Sequence, residues 1–478
     1  MKVLHVGYGF LPWSSGGLSR YVEDLLQIQA QNGYEVAYFF SGRHYPWRKK
    51  TRLYRWKRGS IHFYEIQNSP IAHQIDHGVA EPKYEIQEPI SEDLFRHVIA
   101  EVKPDLVHIQ SLIGLPSSLI SITKAEFRLP LVMTLLDYSM VCPAVKLFDV
   151  QGRLCVAAEV GKNCVACCQN AAKIHNRGYQ TLIYELRSLG GYAFLSFYKT
   201  VLSWVKQKSS PSQKKTPDAA APEISSRFCD LSVDFQNRRD MNVQRLKEAD
   251  RLIAVSRREE EIFRRYLGAI DTFRMIHITV SHLANLKPHP HAKVSAGDPV
   301  KFVALNCSTY AKGAMILFEA IQILNNSGFA SKFEFYLIGD PALSILHARP
   351  ASPNIVYQRA YEPHQLNQIL NHMDVGVVPS LWEEGYGLVG IEFLAKGIPV
   401  IGNARGGIPD YVFEGVTGWL NQSATAEELA RIMQSILEDR TKIEILRNKI
   451  ISRRSEWVKP MQVHFQEIDA LYREIYAE

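Results

Sequence analysis

The chain has 478 residues, 46% of them hydrophobic and 22% charged, with 55 Lys plus Arg against 49 Asp plus Glu and a formal net charge of +6. Two or three globular domains are expected at this length, and the composition is that of an ordinary globular protein. The mild positive excess suits an anionic substrate or membrane surface and gives no ground for a nucleic-acid partner. No run of about 18 apolar residues occurs, which excludes a hydrophobic transmembrane helix.

The opening segment, Val3 to Val6, is apolar and short, and Gly and Pro follow it. It reads as a first β-strand rather than a signal peptide, and a cytoplasmic protein with peripheral membrane contact is expected. Gly16 and Gly17 precede a helical pattern from Leu18 to Gln31, which stops at Asn32-Gly33. Strands follow at Val36–Phe40, Leu106–Ile109 and Leu131–Leu135, the last two directly after the breakers Pro104-Asp105 and Leu129-Pro130. Between 170 and 245 the alternation stops. Residues 192–208 are aromatic, apolar and basic, which fits either a helix packed on the domain or an amphipathic surface resting on a membrane. Residues 209–222 read as a polar loop.

Alternation resumes with a strand at Arg251–Val255 and a helix at Glu259–Tyr266, and a Pro/His-rich linker is expected over 287–299. Beyond it the pattern runs strand Lys301–Leu305, helix Gly313–Asn325, strand Glu334–Ile338, helix Pro363–His372, strand Val375–Val378, a helix through Glu392 and a strand at Pro399–Ile401. The pattern predicts an α/β chain of two doubly wound parallel-sheet domains, with ligands at the carboxyl ends of the strands. The expected boundaries are 1–286 for the first domain, with a Cys-rich segment at 142–168 and a helical insertion at 170–245, and 300–458 for the second. A closing helix over 459–478 is expected to cross back to the first domain.

The chemistry concentrates in Pro379-Ser380-Leu381-Trp382-Glu383-Glu384-Gly385-Tyr386-Gly387-Leu388-Val389-Gly390-Ile391-Glu392. Gly385 and Gly387 permit a tight turn, and the amides of residues 385–389, Tyr386 and Leu388 among them, form a helix N-terminus suited to negative charge. Glu384 precedes that turn and can accept from sugar hydroxyls. Glu392 lies eight residues on, about two helical turns, where a carboxylate can accept from both hydroxyls of a ribose. Upstream, Lys312-Gly313 opens a helix where an ammonium would neutralise charge on a phosphate leaving group, the alternative being a solvated lysine.

This constellation resembles the E-x7-E signature of glycosyltransferase family 4, with Tyr386 where Phe is usual and Phe393 where Ala is usual. Gly406-Gly407-Ile408-Pro409-Asp410 and the turn Gly415-Val416-Thr417-Gly418-Trp419-Leu420 resemble the segments that follow it. The resemblance implies a GT-B fold whose two domains face each other across a cleft, and a retaining transfer of a sugar from a nucleotide-sugar donor (UDP-, GDP- or dTDP-linked). It places Glu384 on the donor sugar and Glu392 on the ribose. The acceptor would be a saccharide or lipid-linked hydroxyl, and no catalytic metal is expected. The family's G-R-L-x-x-x-K-G segment keeps Lys312 and Gly313 here, but Asn306 and Cys307 replace Gly and Arg, and Arg359 or Arg405 is a candidate substitute for the missing cation.

In the first half the resemblance places the Gly16-Gly17 loop at the donor and Asp137 at the acceptor. Gln110 and Leu136 stand where the family often carries His, and His108 is either structural or functional. Cys142, Cys155, Cys164 and Cys167 resemble the cysteines of a family subgroup and suit a structural Zn²⁺, the alternative being free thiols. A sugar-nucleotide epimerase on the same fold and a non-catalytic partner subunit are the rival readings.

Overall fold

The computed structural model describes all residues except 12, 15, 46, 49, 72, 75–77, 150, 156–159, 170, 172–180, 183–184, 186–225, 289–296, 341–342, 351 and 478. The segments expected at 192–208 and 209–222, and positions 289–296 of the expected linker, lie outside the described residues. The described chain divides into two compact units, residues 1–145 with 155–252 and residues 146–154 with 253–478. No described helix is long and apolar enough to cross a membrane.

The first unit contains β1 (Lys2–Tyr8), β2 (Glu35–Ser41), β3 (Arg52–Arg58), β4 (Ile61–Gln67), the short pair β5 (His73–Gln74) and β6 (Gly78–Val79), β7 (Leu106–Ile109) and β8 (Leu131–Leu135). Its main sheet places these in the order β8-β7-β1-β2-β4-β3. All pairs are parallel except β3 with β4. β7 and β8 are wholly buried, which is why they read as continuous apolar runs in the sequence. The helix Pro89–Val102 that feeds β7 starts on Glu88, whose carboxylate accepts from the amides of Ile90 (3.1 Å) and Ser91 (2.7 Å), with Pro89 at the first helical position.

The strand β9 (Arg251–Ala254) spans the division between the units. The second unit holds β10 (Phe273–Met275), β11 (Val300–Leu305), β12 (Phe333–Ile338), β13 (Ile355–Gln358), β14 (Val375–Val378), β15 (Val400–Asn403) and β16 (Gly418–Asn421). Six of them form a parallel sheet in the order β13-β12-β11-β14-β15-β16. Phe302, Leu317, Ile321, Phe335, Val377, Leu429 and Met433 stand in its core, with helices Ala314–Asn326 and Ala426–Glu438 contributing apolar faces.

The two doubly wound sheets match the expected fold class. The grouping differs from the expected boundaries: residues 253–286 and the terminal helix Met461–Ala477 belong with the second unit. Polar contacts explain this. Thr279 Oγ1 donates to the Lys459 carbonyl (2.7 Å), Lys459 Nζ donates to the His277 carbonyl (3.0 Å), and Arg274 pairs with Glu474.

Candidate functional site

In the second sheet the chain order reverses between β11 and β14. The chain leaves β11 toward β12 on one side, and β14 begins the other side. Such a switch point parts the loops at the carboxyl ends of the two strands and opens a crevice there. The two loops are residues 306–313 and 379–387, the segments that carry Lys312 and Glu384.

The first loop is shaped by residues that depart from the family pattern. Asn306 takes φ 53°, the left-handed region, which Asn tolerates better than most non-glycine residues. It therefore does the conformational work of the glycine usual there. Cys307, in place of Arg, donates its thiol to the Lys312 carbonyl at 3.1 Å, and burial pushes its pKa up to about 12. Gly313 has φ 79°, and a Cβ on it would lie 1.8 Å from the Pro379 carbonyl oxygen. The two loops interlock there, and the Leu381 amide donates to the Ala311 carbonyl (2.8 Å).

The adjacent glutamates have separate duties. Glu383 is buried, accepts from Arg258 Nη2 (2.7 Å) and Nε (3.0 Å), and takes the Gly406 amide on its other oxygen (2.7 Å). The Gly407 amide donates to the Glu384 backbone carbonyl (2.8 Å), so the Gly406-Gly407 turn fixes this stretch from behind. Glu384 Oε1 receives three donors: Lys312 Nζ (2.5 Å), Ser380 Oγ (2.6 Å) and Trp382 Nε1 (3.0 Å). Burial works to raise its pKa. The Lys312 charge and these hydrogen bonds outweigh burial and hold it below the ordinary value.

A second cation stands here that the sequence reading missed. Lys146 Nζ lies 5.6 Å from the centroid of the Trp382 ring, and Lys312 Nζ lies 5.1 Å from the same ring. Burial lowers the Lys146 pKa to about 8, with the Lys312 charge pushing the same way and Glu384 opposing. Lys146 belongs to residues 146–154, which join the second unit, where Phe148 packs on Tyr310. Of the expected substitutes, Arg359 is exposed after β13, and Arg405 donates to its neighbour's carbonyl at Ala404 (2.9 Å). Nothing in the spacing of the sequence joins Lys146 to Lys312. Only the return of this loop brings them together.

The helix Leu388–Ala395 begins at Gly387, with φ 83°, and its first amides follow the Gly385-Tyr386-Gly387 turn. The Tyr386 side chain is buried, stacked on His277 (centroids 4.8 Å) and edge-on to Tyr411 (5.7 Å). Its backbone, rather than its ring, is what the turn presents. Glu392 accepts from His282 Nε2 (2.8 Å) on one oxygen, while its buried Oε2 has no hydrogen-bond partner among the described residues.

In the first unit Asp137 follows β8 and is held by Ser111 Oγ (3.0 Å) and the Ser139 amide (2.7 Å). Gly16, φ 135°, and Gly17 are exposed at the start of the first helix, and a Cβ on Gly16 would meet nothing within 4 Å. His108 is buried and bonded to Thr134 Oγ1 (2.7 Å), and Gln110 Nε2 lies 3.3 Å from His5 Nδ1. Burial lowers the His5 pKa to about 4. Among the expected zinc ligands, Cys142 and Cys164 are buried, while Cys155 and Cys167 are half-buried. Burial pushes Cys164 up to about 12, with Cys142 and Cys155 adding to the effect. Cys168 shares the buried cluster of Cys164 with Val79 and Phe235, and Cys167 packs against it. Among the described residues no group of three or more His, Cys, Asp or Glu is arranged to hold a metal ion.

Residues 300–439 match the family described as glycosyl transferases group 1. The chain is similar to the amylovoran biosynthesis glycosyltransferase AmsK of Erwinia amylovora, 27% identical over 146 residues, which covers 28% of this chain and 35% of that one. The chain spans about a third of the length of the curated relatives it matches first. In structure it resembles a sucrose-phosphate synthase from Thermosynechococcus elongatus, with TM-score 0.62 and 18% identity over 100% of this chain and 99% of the other. It also resembles Anabaena HepE in complex with UDP-glucose, with TM-score 0.56 and 14% identity over 99% and 100% of the two chains. The fold is of the GT-B type, and residues 300–439 match the glycosyl transferases group 1 family.

Proposed function

We propose that the chain is a retaining glycosyltransferase, of hexosyl type, that moves a sugar from a nucleotide-sugar donor to a hydroxyl of a saccharide or lipid-linked acceptor in cell-surface polysaccharide or glycolipid synthesis. The observation that carries the proposal is the Lys312–Glu384 pair at a sheet switch point, beside the N-terminus of helix Leu388–Ala395. In this reading Lys312 and Lys146 meet the diphosphate, whose charge grows as the glycosidic bond breaks. The helix amides share that charge. Glu384 turns toward the donor sugar, and the open Oε2 of Glu392 accepts from the ribose hydroxyls. No catalytic metal is invoked: in this reading Lys312 and Lys146 supply the positive charge that the diphosphate needs. UDP is the first donor nucleotide to try, since the similar Anabaena protein is in complex with UDP-glucose.

Retention rests on the resemblance to family 4. The acceptor oxygen forms its bond to the anomeric carbon on the face the diphosphate leaves, and its proton passes to the departing phosphate oxygen.

We also infer a working place at an anionic membrane surface. Residues 47–58 carry seven Lys or Arg and no acidic residue. Trp47 is 73% exposed, and β3 is the edge strand of its sheet. Arg55 and Arg58 pair with Glu101 and Glu23, while Arg48, Lys50, Arg52 and Lys57 have no carboxylate partner among the described residues.

The test is a thermal-shift screen of UDP, GDP and dTDP sugars, followed by NMR assignment of the anomeric configuration of the product. Stabilisation by one donor series and a retained anomer are expected. Failure of every nucleotide sugar to shift the melt, with Glu384→Gln silent in transfer, overturns the proposal.

A further inference from the structure

The first unit has a half-open recess where β1, β2 and β4 end, and the function proposed above makes no use of it. Phe10, Trp13, Arg43, Glu65 and His73 line it. Two polar atoms in these walls, Trp13 Nε1 and His73 Nε2, are buried without a hydrogen-bond partner among the described residues. An orphaned buried donor or acceptor is costly to leave unmet, so two lining one recess point to a ligand that satisfies them.

The chemistry of that ligand follows from how the two groups are held. The His73 side chain is wholly buried, and its Nδ1 pairs with Glu85, which Arg238 holds from the other side. Burial works to raise the Glu85 pKa, but Arg238 and His73 bring it down to about 2. With Nδ1–H committed to that carboxylate, Nε2 is the ring atom left to meet a ligand. Trp13 Nε1 can only donate. A hydroxyl satisfies both positions, because it accepts from the indole and can donate to or accept from the imidazole.

Charge narrows the class further. Arg43 accounts for the cation of the recess, and two carboxylates already share it: Glu65 at 2.7 and 2.9 Å and Glu185 at 3.2 Å. The guanidinium also lies 4.4 Å from the centroid of the Trp13 ring. Nearby, Arg58 stands over Phe10 at 4.8 Å and is paired with Glu23 at 2.7 Å. A phosphate or carboxylate entering here would find its cation already matched by Glu65 and Glu185. A neutral polyhydroxyl ring would find aromatic walls and two waiting polar atoms.

We propose that this recess binds a neutral saccharide ring of the acceptor, through ring hydroxyls to Trp13 Nε1 and His73 Nε2. The acceptor role rests on the glycosyltransferase reading, whereas the saccharide site stands on the recess itself.

The experiment is saturation-transfer NMR on the full chain with methyl glycosides of glucose, galactose and mannose, set against glucuronate and glucose 6-phosphate. At least one neutral glycoside should bind, and the two anions should bind at least about fivefold more weakly. Trp13→Phe keeps the ring and removes the N–H, and should weaken the neutral ligand about tenfold, in line with one lost hydrogen bond. His73→Gln serves as a second variant, with folding of both checked by circular dichroism. Equal binding of the anions, no neutral glycoside bound, or an unchanged affinity in folded Trp13→Phe overturns the proposal. Stabilisation by a UDP sugar should persist in Trp13→Phe. If glycosides bind but no nucleotide sugar does, the glycosyltransferase reading fails and the saccharide site stands.

Discussion

Glu384 Oε1 and Lys312 Nζ lie 2.5 Å apart, joining a carboxylate from the loop after β14 to an ammonium from the loop after β11. Each controls the other. The ammonium keeps a buried carboxylate ionised, and the carboxylate holds the ammonium in place beside Trp382. Glu384→Gln retains an oxygen for Ser380 and Trp382 but loses the charge. A fall of about 10²-fold in transfer rate is expected, in the range of one lost electrostatic contact at a reacting centre. Lys312→Met should do likewise and should also weaken nucleotide-diphosphate binding, read by calorimetry. A double variant no worse than either single one would show that the two act as a unit.

Lys146 supplies a pH dependence with a definite sign. It is charged below about pH 8 and neutral above it. Donor affinity should fall as pH rises through 8, and Lys146→Met should remove that step. Stability runs the other way. The folded-state value is depressed from 10.5, so the unfolded chain binds more protons between about 8 and 10.5. Over that window this group makes the ligand-free protein more stable as pH rises. Donor titrations and thermal melts from pH 7 to 10 check both halves.

Gly313→Ala should destabilise the second unit. The left-handed backbone alone costs about 1–2 kcal/mol for an L-residue, and the new Cβ would overlap the Pro379 carbonyl, 1.8 Å away. Asn306→Gly should be tolerated at φ 53°, whereas Asn306→Val should not. Melting temperatures of the three variants rank them.

Substitution of Glu392 tests nucleotide binding apart from sugar transfer. Its Oε2 is buried and open, while Oε1 is held by His282. Glu392→Gln replaces one acceptor oxygen with a donor, and affinity for the nucleotide should fall about tenfold, near 1.4 kcal/mol. The corresponding 2′-deoxynucleotide should lose less in the variant than in the wild type. Equal losses would place the ribose elsewhere.

Where burial dominates, the sequence carries the structure legibly. β7, β8 and β14 have exactly the bounds expected from their apolar runs and flanking breakers, since a strand covered on both faces cannot admit polar residues. The hairpin of β3 and β4 was not legible: β3 is an edge strand of mostly exposed basic residues, which masks any period-two pattern. β16 was read as a turn, because it opens on Gly418, three residues after Gly415. In the site, Lys312, Gly313, Glu384, Gly387 and Glu392 were legible because they fall within two short motifs. Lys146 was not, because its place depends on a loop from the first half of the chain returning to the second unit. The split between Glu383 and Glu384 was equally hidden: it is set by Arg258 and Gly406, neither of which neighbours them in sequence.

The edge strand that obscured the pattern carries the last prediction. A cluster of cations with no carboxylate partner among the described residues, beside an exposed tryptophan, gains about 1 kcal/mol per Lys or Arg near an anionic leaflet, and the gain is screened within a Debye length. The protein should co-sediment with vesicles of phosphatidylglycerol and phosphatidylethanolamine at low salt, and release should follow as salt rises. Arg52→Glu with Lys57→Glu should reduce binding by about 10²-fold, since each reversal both removes an attraction and adds a repulsion. Trp47→Ala should weaken binding without changing its salt dependence, because it removes apolar contact rather than charge. None of the three changes touches Lys312, Glu384 or Glu392, so transfer to a water-soluble acceptor should be unaffected while transfer on vesicles falls. Salt-independent binding, or none to anionic vesicles, would rule out this surface as the membrane contact.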